Sequence, residues 1–217
     1  MFPHSLVDLD SVERHFTAIH LVRDPRDVIV SGYLYHKRCN EPWCRNTDFD
    51  WSDPLNYPIV PRSQDHRPLE WKKNYLNSLN GRSYQENLRS LAQEDGLLFE
   101  MDHYASWTIR QMESWDYSRP DTLELKFEDI MTDFEASFAS MFAHVGFNKI
   151  QTDFASSVAI TEDISRMTDK EIMMNNHISA RSTSKWSRYF TPKLKDEFKA
   201  RFPDTLQRLG YETSTDW

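Results

Sequence analysis

From Phe16 to Val22 the chain is apolar with β-branched members, the pattern of a buried strand, and the run stops at Arg23. Asp24 is suited to N-cap a helix that opens on Pro25, and Asp27 adds a carboxylate where the helix dipole favours one. Helical spacing runs on through Tyr35, with Ser31 two turns in. Residues 38–70 then lose periodicity. They hold five prolines (Pro42, Pro54, Pro58, Pro61, Pro68) and the tryptophans Trp43 and Trp51. This is a long irregular excursion whose aromatics argue against plain disorder, and such loops are commonly lids. Helical spacing returns over 83–94 and 97–115, with a break expected at Gly96. Residues 122–127 alternate, placing Leu123, Leu125 and Phe127 on one face of a second strand. Thr132 and Glu135 form a capping-box pattern before a helix that Gly146 closes. Residues 161–185 are polar and irregular, and Thr191-Pro192 starts a last helix with Leu194, Phe198 and Phe202 along one face. Strands alternating with helices predict an α/β layered fold.

Composition narrows the function classes. At 217 residues one domain is expected, and 39% apolar content supplies a real core. The net charge of −8 argues against a nucleic-acid binder, which needs a basic face. No apolar stretch approaches the roughly 18 residues of a membrane span. The opening MFPHSLVDLD lacks the basic-then-apolar form of a signal peptide, so a cytoplasmic location is expected. Cys39 and Cys44 are too few for a disulfide framework or a zinc site, and the histidines show no metal spacing.

The chemistry concentrates in HFTAIHLVRDPRDVIVSGYLYH, residues 15–36. Ligands of open α/β sheets sit beyond the carboxyl ends of the strands. A guanidinium and a hydroxyl converging there suit a phosphate dianion. Arg23, Asp24, Pro25, Arg26, Asp27, Val28, Val30 and Ser31 resemble, position by position, the 3′-phosphate motif R-[ND]-P-[RK]-D-V-x-V-S of the sulfotransferases, which use 3′-phosphoadenosine 5′-phosphosulfate (PAPS). The resemblance gives Arg23 and Ser31 the role of holding that 3′-phosphate. Tyr104-Ala105-Ser106-Trp107 is similar to the family's Y-G-S-W segment, whose tyrosine lies by the adenine, although an aromatic core stripe reads equally well. Glu128 and Asp129 resemble a strand-ending [YF]-E-D-[LM] and read as structural acids.

Residues 177–191 resemble the second phosphate loop, R-x-G-x-x-G-x-W-x-x-x-F-T, with departures. Ser179 stands where the first Arg is usual, and Arg181 and Ser184 replace the two glycines. Arg181 is the candidate for the missing charge. The family's general base is a His upstream of the strand, often in T-H-x-P; either it lies just before Met1, with Met1-Phe2-Pro3 as the tail of that segment, or it is His4 on a shortened connection. None of the five glycines heads a phosphate-cradling loop, and nothing matches the family's P-K-[SA]-G-[ST]-[ST]-[WF] segment with its catalytic lysine. A Walker lysine is absent too, which disfavours a nucleoside kinase.

The resemblance therefore implies a three-layer, P-loop-NTPase-like α/β fold with a central parallel sheet, N-terminally incomplete, spanning 1–217 as one domain. It implies transfer of a sulfuryl group from PAPS to a hydroxyl or amine of a small-molecule or carbohydrate acceptor, leaving adenosine 3′,5′-bisphosphate (PAP), with no metal. Residues 38–70 would cover the acceptor side. The alternative is a non-catalytic module that binds PAP or a partner.

Overall fold

The computed structural model describes residues 9–12, 15–47, 59–174 and 182–217. His4, Arg181 and Trp51 lie outside the described residues. A 3₁₀ turn, Leu9–Ser11, precedes strand β1, Ala18–Val22, and helix α1, Pro25–His36. The Asp24 side chain accepts the Arg26 N–H, so the expected cap forms. Next come α2 (Pro42–Arg45), a 3₁₀ turn at Arg62–Gln64, α3 (Leu69–Ser78), α4 (Tyr84–Ser90), α5 (Gln93–Asp102) and α6 (Tyr104–Ser114). Strand β2 is Thr122–Lys126, followed by α7 (Phe127–Thr132), α8 (Phe134–His144), α9 (Lys149–Ala159), 3₁₀ turns at Ile160–Glu162 and Ile164–Arg166, and α10 (Asp169–Met174). The chain ends with α11 (Trp186–Tyr189), α12 (Pro192–Arg201) and α13 (Thr205–Arg208).

The result is a mixed α/β architecture, mostly helical. Among the described residues the sheet has two strands, β1 and β2, parallel, with Ala18 opposite Thr122 and Val22 opposite Lys126. Burial of β1 is one-sided. His20 and Val22 are covered, while Ile19 and Leu21 are exposed, so the expectation of a strand buried throughout is corrected. His20 stacks on Trp115 at 4.0 Å and its Nδ1 lies 2.6 Å from Glu124 Oε2, tying the two strands together through side chains.

Helix α1 runs through the core. Ile29, Val30 and Tyr33 are buried with Leu97 and Met101 of α5, Ile109 of α6, and Leu194 and Phe198 of α12. The last helix thus turns its predicted face inward, Phe202 included.

Several local expectations fail for tertiary reasons. Gly96 lies inside α5 rather than breaking a helix. A Cβ there would stand 2.6 Å from Tyr33 Cε2, so the glycine lets α1 and α5 approach. The breaks fall instead around Leu91-Ala92 and at His103. Asp133, not Thr132, caps α8 by accepting the Ala136 N–H, while the Thr132 hydroxyl bonds back to the Glu128 carbonyl. Gly146, at φ +90°, does close that helix. Phe127 begins α7 instead of ending β2. Within 38–70, α2 forms and Trp43 is buried against Tyr84 and Tyr104, so this indole anchors the segment and offers no flat surface to a ligand. Cys39 and Cys44 are buried free thiols.

Candidate functional site

The site starts from helix geometry. Asp27 and Ser31, four residues apart, share one face of α1, and Arg23, in the turn just before the Asp24 cap, reaches toward Asp27. The turn itself is held from β2's end: Glu128 accepts the Asp24 backbone N–H at 3.1 Å and the Tyr211 hydroxyl at 3.0 Å. That is the structural role read for this acid from the sequence. Arg23 lies over the Phe127 ring at 4.6 Å, and its Nη2 is 3.6 Å from Asp27 Oδ2.

Asp27 is fully buried, and its Oδ1 accepts the Trp186 backbone N–H at 2.8 Å. This bond seats the 177–191 loop's described end against α1. Burial pushes the Asp27 carboxyl up to about 6, against the opposing pull of the Trp186 N–H and Arg23.

Arg26, the motif's second arginine, is consumed by structure. It binds Asp24 in a fork, Nε to Oδ1 at 3.0 Å and Nη2 to Oδ2 at 2.7 Å, and reaches Glu212 at 2.5 Å. Its guanidinium contacts two indoles set at right angles to each other, Trp186 at 3.8 Å and Trp217 at 4.6 Å. Arg26 therefore locks the same loop from its other side.

Lys185 is the residue that sequence reasoning missed. It sits just before Trp186, at a position the loop pattern leaves open, and only 8% of it is exposed. Burial, with the charges of Arg23 and Arg38, lowers its pKa to about 8 against the opposing pull of Asp27. Arg23 and Arg38 thus place positive charge near Lys185, and Asp27 places a buried carboxylate there. The available signal was a lysine next to the loop's Trp, with the usual glycines replaced by larger residues.

The hydrogen-bond account of this face is incomplete in a specific way. Arg23 Nε and Ser31 Oγ are buried donors with no hydrogen-bond partner among the described residues, and Asp27 Oδ2 is an acceptor in the same position. Native proteins rarely leave such groups unpaired. Residues 2–210 match the family model for the sulfotransferase domain. The chain belongs to the sulfotransferase domain family. Its general chemistry is sulfuryl transfer, and it is a transferase by family. No curated protein and no solved structure shows a significant match.

In this sulfotransferase-family chain Tyr104 stands at the start of α6, half-buried. Its ring stacks on Trp43 at 5.2 Å and meets the His36 ring edge-on at 4.7 Å. Burial raises its hydroxyl to about 12. Tyr104 is thus brought to the far end of α1, beyond Ser31, while Arg23 lies before the helix's first turn. Trp107 packs with Trp71 and Tyr75 as a core aromatic. Among the described residues no cluster of His, Cys, Asp or Glu has metal-holding geometry, and no helix is long and apolar enough to cross a membrane.

Proposed function

We propose that this face binds the 3′-phosphate of PAPS as sulfuryl donor and of PAP as product. The observation that carries the reading is a pair of buried donors without a hydrogen-bond partner among the described residues, Arg23 Nε in the turn after β1 and Ser31 Oγ on α1, the helix that begins at that strand's carboxyl end. The crowded cations add to it. Arg23 and Arg38 each repel the Lys185 ammonium, and a dianion offsets that repulsion. Lys185 supplies charge that the loop's missing arginine and glycines would otherwise contribute; Arg181 is a further source. Tyr104 is the base-side residue, and His4 the candidate general base for an acceptor hydroxyl or amine. The acceptor is a small molecule or carbohydrate, met from the side of residues 38–70. The β1–β2 pair and its helices are part of a three-layer, P-loop-NTPase-like domain with a central parallel sheet.

Calorimetry with PAP tests the reading. A charge-assisted, partly buried contact is worth about 1.5–3 kcal/mol, so Arg23→Ala weakens PAP by roughly ten- to a hundredfold. Ser31→Ala costs less, since a neutral hydroxyl bond is weaker. Equal PAP affinity in the wild type and Arg23→Ala refutes the site. Release of PAP from PAPS in the presence of acceptors then separates an enzyme from a binding module.

A further inference from the structure

A second buried network lies at the other end of α1, centred on Glu100 of α5, which is fully buried. Its Oε2 lies 2.9 Å from His36 Nδ1, in the last turn of α1, and accepts the Tyr84 hydroxyl of α4 at 3.0 Å. The Tyr84 oxygen in turn accepts the Tyr104 backbone N–H at 3.4 Å, where α6 begins. The other carboxylate oxygen, Oε1, lies against Gly32, so close that a Cβ at that position would run into it. Gly32 directly follows Ser31. One carboxylate therefore touches the helix carrying Ser31 at two points and, through Tyr84, the start of the helix carrying Tyr104.

The network is electrostatically committed. Burial pulls the His36 imidazolium down, and the charge and hydrogen bond of Glu100 more than offset it, so its pKa stands above the ordinary value. His36 also meets Trp43, Tyr84 and Tyr104 edge-on, at 5.0, 5.5 and 4.7 Å. A buried pair of this kind adds little net stability against an apolar replacement, but it fixes geometry, because breaking it strands a charge.

We infer that Glu100 is a positioning residue for the nucleotide site: it sets the register between Ser31, on the phosphate side, and Tyr104, on the base side. The inference rests on the nucleotide reading above. It makes a demand that a general stabilising role does not. A register error hurts only a ligand that must engage both ends at once, because small misplacements are costly for a doubly held molecule. Each end by itself is unaffected.

The test compares PAP with its parts, adenosine and inorganic phosphate, by calorimetry and NMR titration on the full chain. Glu100→Ala is expected to weaken PAP about tenfold or more while adenosine and phosphate stay within about twofold. Glu100→Gln keeps a carbonyl oxygen for Tyr84 and His36 and is expected to restore PAP to within a few-fold. Gly32→Ala presses on the same contact from α1 and is expected to weaken PAP with Glu100 intact, which keeps the test available if Glu100→Ala fails to fold. Wild type that does not bind PAP overturns the nucleotide reading and the inference with it. Wild type that binds PAP, with variants that bind it equally, overturns the positioning role alone. Proportional loss of PAP, adenosine and phosphate also overturns it, since that is general loosening.

Discussion

Removing the Lys185 ammonium should make the free chain more stable and the PAP complex weaker. In the folded chain the pKa of Lys185 falls from 10.5 to about 8, chiefly through burial and then through Arg23 and Arg38. At about 1.4 kcal/mol per tenfold, that displacement amounts to roughly 3 kcal/mol of unfavourable charging at neutral pH. The folded pKa lies below the unfolded one, so the unfolded chain binds more protons between pH 8 and 10.5. The stability of the free wild type therefore rises with pH across that window, and the cost is fully present below pH 8. Lys185→Met removes the cost, so its urea midpoint at pH 7 should exceed the wild type's, and the difference should shrink as pH passes 8. PAP binding should show the reverse. A dianion beside Arg23 recharges the ammonium, and losing such a contact costs about 1.5–3 kcal/mol, roughly ten- to a hundredfold in affinity at pH 7. At pH 8.5 about three-quarters of Lys185 is neutral in the free chain, so PAP should take up about 0.7 proton per site. Calorimetry in two buffers of different ionisation enthalpy reads this directly, and Lys185→Met should show almost none. Asp27, at about 6, is already ionised there and contributes little. Equal proton uptake by the wild type and the variant, or an unchanged PAP affinity in the variant at pH 7, refutes the reasoning.

Gly96→Ala should lower stability by about 1 kcal/mol, because the overpacking against Tyr33 outweighs the better helix propensity of alanine; a raised urea midpoint would contradict the close approach of α1 and α5. Asp133→Ala should cost about 1 kcal/mol by removing the cap of α8, with Thr132→Ala close to neutral, and thermal unfolding of the pair shows which residue is the cap. Trp217→Ala removes one of the two rings that contact the Arg26 guanidinium and should cost about 1–2 kcal/mol while exposing the Trp186 ring it meets edge-on, read as a fluorescence shift; an unchanged spectrum would show that this packing is absent in solution.

Reading the chain before its structure works where interactions are local. The Asp24 cap, the inward face of Leu194, Phe198 and Phe202, and the closing role of Gly146 all follow from residues within a few positions of one another. Gly96 shows where this ends. A glycine in a helical stretch reads as a break, yet here it is the ring of Tyr33, on another helix, that requires it. Trp43 shows the same from the other side: an aromatic in a proline-rich stretch reads as loop surface, and its stacking on Tyr104 makes it core.

For the candidate site the division is similar. Sequence alone determined the unit of strand, Arg23 and helix with Ser31 two turns in, because strand and helix periodicity are set by the backbone and by nothing distant. It also carried the family, since the motif's order survives in the chain without any coordinates. Only the tertiary structure decided the surroundings of each charge. Arg26 looks like a ligand cation and is locked between Asp24, Glu212 and two indoles, while Lys185, in an open position of the loop pattern, is driven in beside Arg23. Glu100, with no motif around it, became the carboxylate that joins α1 to α4 and, through Tyr84, to α6. The physical reason is that the state of a charge depends on its desolvation and its neighbours, and both are set by residues brought together only when the chain packs.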